Sequence, residues 1–125
     1  MNNPQPVYHP PEAQWLRRLH RLAGVGLFLF LALHIGQIWL MALGPGPFNA
    51  VAAILRQPPA RLLDIALLFG VLFHAINGVR VSLLDVAPGL VRFERLSIYL
   101  ALFGVALVFI PGALLILMDA FLPAL

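Results

Sequence analysis

The sequence predicts an all-α integral membrane protein with three transmembrane helices. Three observations carry that prediction: 62% hydrophobic against 10% charged residues in a chain of 125, a mean hydropathy of +0.95, and three uncharged stretches at residues 22–55, 65–79 and 96–118. A soluble domain carries roughly a quarter charged residues, so this chain lacks the polar surface to coat a compact water-soluble fold, and a soluble enzyme is excluded. The chain has no Cys, which removes disulfides, iron-sulfur clusters, Cys-ligated zinc and thiol nucleophiles together and leaves His and carboxylates as the only metal donors.

The first element, residues 1–14, is polar and Pro-rich with no basic residue before Arg17; it does not have the pattern of a cleavable signal peptide and reads as a tethered tail in which His9 is solvated. A helix needs about 20 apolar residues to cross a hydrocarbon core of about 30 Å. The first and third uncharged stretches supply them, and the second does so once extended past Asp64 and Arg80, whose long side chain can snorkel or find a partner. The predicted spans are therefore about residues 22–43, 62–84 and 96–118. Between the first two, Gly44-Pro45-Gly46-Pro47 stops a helix, and Phe48, Val51 and Leu55 then recur at helical spacing, as in a short interfacial helix ended by Pro58 and Pro59. Pro88 and Gly89 mark the second turn, and Pro111 before Gly112 predicts a kink in the third span.

All eight basic residues are Arg, and they flank the apolar runs in place of forming the polar basic face that nucleic-acid binding needs. Arg17, Arg18, Arg21, Arg80, Arg92 and Arg95 cluster around the N-terminus and the second turn, leaving Arg56 and Arg61 in the first connection. By the positive-inside rule the N-terminus and second turn are cytoplasmic. Trp15 and Tyr99 then fall near the inner boundary and Trp39 near the outer one, where amphipathic rings sit.

Ionisable groups inside the spans carry the functional information, because each costs several kcal/mol in hydrocarbon unless it is paired, coordinated or facing a cavity. His74 lies mid-span with Gly70 four residues before it and Gly78 four after, so its imidazole projects from a face stripped of side chains. Two readings fit. A flat macrocycle could lie there, with His74 on a haem iron and Arg80 about 9 Å along the axis toward the propionates; or His74 bonds a neighbouring helix while Gly70 and Gly78 permit close packing. His34 is flanked one turn either side by Phe30 and Ile38, and shares a face with His20 to within roughly 40°. A ligand role and a hydrogen bond to a helix both fit it. His20 and Arg21 at the boundary suit either membrane anchoring or an anion such as a propionate, or a quinone head group.

These residues resemble the larger cytochrome b membrane-anchor subunit of succinate dehydrogenase, also called succinate:quinone oxidoreductase or complex II. His20-Arg21 followed by Gly24 resembles the family's His-Arg-x-x-Gly at the start of the first span, and His74-x-x-x-Gly78-Val79-Arg80 with Asp85 resembles its second-span haem motif. The resemblance covers residues 15–105. It implies a helical bundle completed by a smaller anchor subunit, docking of flavoprotein and iron-sulfur subunits, and passage of electrons to a quinone, in a bacterial or archaeal cytoplasmic membrane. It implies that His74 is an axial ligand of haem b with its opposite ligand on the smaller anchor subunit, and that His20, Arg21 and Arg80 hold propionates or line the ubiquinone or menaquinone site. Two positions depart from the pattern: Arg17 stands where the family often has a quinone-contacting Ser, and Val81 where a second His often follows.

Some members of the family hold two haems and others one. With Arg21 and Arg80 marking one boundary, His34 lies about 20 Å inward and His74 about 9 Å, too far apart to share an iron, so His34 is the candidate ligand of a second haem. Two other readings remain beside the resemblance. A cofactor-free three-helix adaptor predicts colourless protein, and the cytochrome b subunit of another quinone-linked oxidoreductase predicts haem with different soluble partners. No flavin motif or cluster ligand assigns succinate chemistry to this chain.

Overall fold

The computed structural model describes residues 10–122; His9 and residues 1–9 of the expected tail lie outside them. Helix α1 spans Pro11–Trp39 and tightens into a 3₁₀ turn at Leu40–Leu43. Helix α2 spans Pro45–Leu55, α3 Pro58–Val86, and α4 Glu94–Phe121 after a 3₁₀ segment at Pro88–Phe93. Among the described residues there is no strand, and three helical runs are long and apolar enough to cross a membrane.

The prolines account for where the helices begin. Pro11, Pro45 and Pro58 each sit in a first helical turn, where the missing N–H has no intrahelical partner to lose and φ is already helical. Helix α1 therefore starts inside the segment read from sequence as tail, and α2 starts at Pro45 in place of Phe48. Gly44, at φ 106°, makes the turn between α1 and α2, a conformation that side chains disfavour. Helices α1 and α3 are each 29 residues long, about 43 Å at 1.5 Å per residue, so they overhang a hydrocarbon core of about 30 Å. Helix α4 continues through Pro111 without a break in its helical backbone.

Three close approaches set the antiparallel register of α1 on α3: Gly24 beside His74, Gly78 beside His20, and Gly70 beside Leu27. Helix α4 runs antiparallel to α3, with Gly112 beside Leu68 and Gly104 beside Ile76. A Cβ on Gly112 would lie 2.8 Å from Leu68 Cδ2, so this residue lets the second half of α4 close on α3. At that same end Arg61 of α3 bonds Asp64 at 3.3 Å and reaches Asp119 of α4 at 2.8 Å.

The buried cluster comprises Ala13 and Leu16 of α1, Phe73 of α3, and Ile98 and Val105 of α4, and runs from the arginine-rich end to the middle of the bundle. The rest of the apolar surface, including most of α1 beyond Val25, faces outward, as lipid-facing and partner-facing helices do.

Candidate functional site

Helix α3 presents two different chemical faces. Toward α1 it carries Gly70, His74 and Gly78; toward α4 it carries Asn77 and Arg80. The division follows from helical geometry, because six residues at about 100° each turn Arg80 roughly 120° away from His74.

On the α1 face, the rings of His20 and His74 stack with centroids 4.0 Å apart and planes 8° from parallel. His74 Nδ1 lies 3.2 Å from the backbone carbonyl oxygen of His20. A carbonyl can only accept, so Nδ1 carries the proton and the Nε2 lone pair is left available. Nε2 makes no hydrogen bond among the described residues. Gly24, one turn beyond His20, makes the contact possible: a Cβ there would stand 3.0 Å from His74 Cε1 and 3.4 Å from Nδ1. The same close approach fills Gly78, whose Cβ would lie 3.4 Å from His20 Cε1, and Gly70, with Leu27 Cδ2 at 3.8 Å. The stripped face that the sequence offered to a macrocycle is thus covered by α1, because two glycine-bearing helices gain more contact by packing on each other.

On the α4 face, Arg80 is 8% exposed and Asn77 2%. The Arg80 guanidinium donates from Nε to Ser97 Oγ at 3.0 Å, from NH1 to Asn77 Oδ1 at 3.4 Å, and from NH2 to Glu94 Oε1 at 3.4 Å. Ser97 in turn donates to the Glu94 carbonyl at 2.7 Å. This network answers the cost of a cation inside an apolar helix. Arg80 and Ser97 border a cavity of about 510 Å³ between α3 and α4, otherwise lined by apolar side chains such as Val79, Leu83, Leu96 and Leu100. Arg80 also borders a smaller cavity of about 220 Å³ with Arg17, Asp85 and Glu94. Arg21 is exposed beside them in sequence. Trp15 and Tyr99 line a third cavity between α1 and α4 at this end, and Arg18 lies 5.6 Å from the Trp15 ring centroid.

His34 stands apart. It is exposed, its ring stacks on Phe30 at 5.5 Å, and it is ten residues beyond Gly24, about 15 Å along the helix. Among the described residues no three His, Asp or Glu side chains converge as a metal cluster.

The structure gathers His20, His74, Gly70 and Gly78 at one seam. Gly24 joins them there, and Asn77, Glu94 and Ser97 surround Arg80 on the other face without any motif in the sequence that marks them. An amide in a span three residues before an Arg was the available signal for the second face, since i and i+3 side chains meet on a helix.

The sequence model of the succinate dehydrogenase/fumarate reductase transmembrane subunit family matches residues 1–112. The chain is also similar to the succinate dehydrogenase 2 membrane subunit SdhC of Mycobacterium tuberculosis, with 30% identity over 113 residues, covering 90% of this chain and 83% of that protein.

Proposed function

The chain belongs to the succinate dehydrogenase/fumarate reductase transmembrane subunit family, and on that premise we propose that it is the haem b-binding membrane anchor of such a complex, docking flavoprotein and iron-sulfur subunits and passing electrons to quinone. One observation carries the haem assignment: the His74 imidazole is held between α1 and α3 with its Nδ1 proton on the His20 carbonyl and its Nε2 lone pair unengaged. Metal-bound histidines are oriented by this kind of outer hydrogen bond, which fixes the tautomer and raises ligand basicity. This imidazole fits a haem iron: His74 would hold it from this chain, and the smaller anchor subunit would complete its ligation. When bound, haem b contributes a one-electron relay whose potential depends on ligand basicity and burial.

The chain's own residues do the rest. Arg17, Arg21 and Arg80 place positive charge at the arginine-rich end, with His20 beside them, where propionate carboxylates or a quinone head group are favoured. Arg80 is held by Asn77, Ser97 and Glu94, so its cation is fixed before any anion arrives. His34, exposed in an apolar span, is proposed as the ligand of a second haem on the far side of the membrane, with its surroundings completed by the partner anchor. The arginine distribution supports a cytoplasmic N-terminus in a bacterial or archaeal cytoplasmic membrane. Affinity purification of the membrane complex tests the assignment: the expected preparation contains flavoprotein and iron-sulfur subunits and haem b, and His74→Leu lowers the haem content. A complex without haem, or one unaltered by His74→Leu, contradicts it.

A further inference from the structure

The cavity of about 510 Å³ between α3 and α4 lies on the side of α3 that faces away from His74, since Ile76, Val79 and Leu83 stand roughly 140–200° around the helix from it. Its walls include Val79 and Leu83 of α3 and Leu96 and Leu100 of α4, each more than half exposed, so the groove opens sideways onto hydrocarbon. The connection closes its arginine-rich end. Pro88 and Gly89 begin a 3₁₀ segment, in which side chains three apart eclipse one another, and this puts Leu90 and Phe93 on one side, where both line the groove.

Charge gathers at the same end. Arg92 Cζ lies 4.7 Å from the Phe93 ring centroid, a cation–π contact that holds the cation at the rim of the groove. Arg92 and Arg95 border one small cavity together with Glu94. The Glu94 side chain is turned inward, 12% exposed, with Oε1 3.4 Å from Arg80 NH2, and Asp85 faces the cavity it shares with Arg17 and Arg80. Neither Arg92 nor Arg95 pairs with a carboxylate among the described residues, and both are exposed. Arg95 also borders a cleft with Glu12, which leaves Arg92 as the cation set at the groove.

We infer that this groove holds an acyl chain of an anionic phospholipid from the leaflet at the arginine-rich end, with the lipid phosphate on Arg92 and with Arg95 in the same basic rim. A phosphate offers the guanidinium charge-assisted hydrogen bonds, and anionic headgroups are drawn to basic residues at a membrane boundary. An acidic protein surface would also meet Arg92, but it would not fill an apolar groove that faces hydrocarbon.

The test uses the affinity-purified membrane complex, stripped of lipid in detergent and titrated with phosphatidylglycerol or phosphatidylcholine, with bound lipid counted by native mass spectrometry. Wild type is compared with Arg92→Gln, which removes the cation, and Ala101→Phe, which fills the groove from a lining residue. The expected result is that wild type binds phosphatidylglycerol more tightly than phosphatidylcholine, and that Arg92→Gln weakens phosphatidylglycerol alone, about fivefold. Ala101→Phe removes one bound copy of either lipid. Haem content, subunit composition and yield stay at wild-type values in both variants. Arg92→Gln is an exposed substitution and decides the question alone if Ala101→Phe does not assemble. Equal binding of the two lipids by wild type overturns the inference, as does Arg92→Gln or an assembled Ala101→Phe that binds lipid as wild type does. Loss of the iron-sulfur subunit from Arg92→Gln with lipid binding unchanged overturns it in favour of a protein interface.

Discussion

His74 and His34 are both imidazoles within apolar helices, and the chain treats them in opposite ways. His74 is enclosed by two helices: a ring stacked on it, a carbonyl on its Nδ1, and a glycine cut away to admit its edge. His34 has Phe30 from its own helix and is otherwise open. On the proposed reading, the first site is built by this chain and the second is finished by another. The difference lies in where the glycines fall. Gly24, Gly70 and Gly78 bring α1 and α3 together near the arginine-rich end, whereas Gly26 and Gly36 have nothing within 4 Å and draw no helix toward His34.

The substitution with the largest expected effect is His74→Leu, which removes the imidazole whose Nδ1 is fixed on the His20 carbonyl. The haem held there is lost, seen as the disappearance of its reduced-minus-oxidised bands. His34→Leu sharpens the contrast: it removes the second haem and leaves the first with unchanged potential and unchanged complex yield, because that ring is exposed and its stacking partner, Phe30, belongs to its own helix. A smaller effect is expected of Gly24→Ala. Its methyl group stands 3.0 Å from His74 Cε1, turning the ring off the His20 carbonyl, weakening haem binding about tenfold and raising the midpoint potential as ligand basicity falls. The smallest effect belongs to the opposite face of α3. Ser97→Ala takes the acceptor from buried Arg80 Nε at a cost of about 1–3 kcal/mol, measured as a lowered unfolding temperature of the detergent-solubilised complex with the haem spectrum unaltered. A spectral change in Ser97→Ala would mean that the two faces of α3 are coupled.

The two faces also mark what could be read from the sequence. The first and third spans followed from uncharged length alone and the second from extending its stretch past Asp64 and Arg80, and Gly70 and Gly78 around His74 identified a face made for close approach. What lay against that face was not legible. A pair of small residues says that something flat or close fits there, and helix α1, by placing its own glycine and its own ring at matching height, answers as well as a macrocycle does. The register that decides this is a tertiary fact, set by which of several possible offsets buries most surface. Helix starts were misplaced by a few residues for a local reason: Pro45 and Pro58 read as terminators, yet the first turn of a helix is where Pro is best tolerated. The Arg80 network was hidden because Glu94 and Ser97 lie across a turn from Asn77 and Arg80, and only the antiparallel packing of α4 on α3 brings them together.

On the proposed reading, this chain builds its haem seat around His74 and leaves His34 to be completed from outside. The most direct test is a reduced-minus-oxidised spectrum with haem quantitation on the affinity-purified complex, run side by side for wild type, His74→Leu and His34→Leu. Two haems are expected in the wild type, one lost in each variant, with the His74 component unshifted in His34→Leu. Full retention of the haem spectrum in His74→Leu would contradict it.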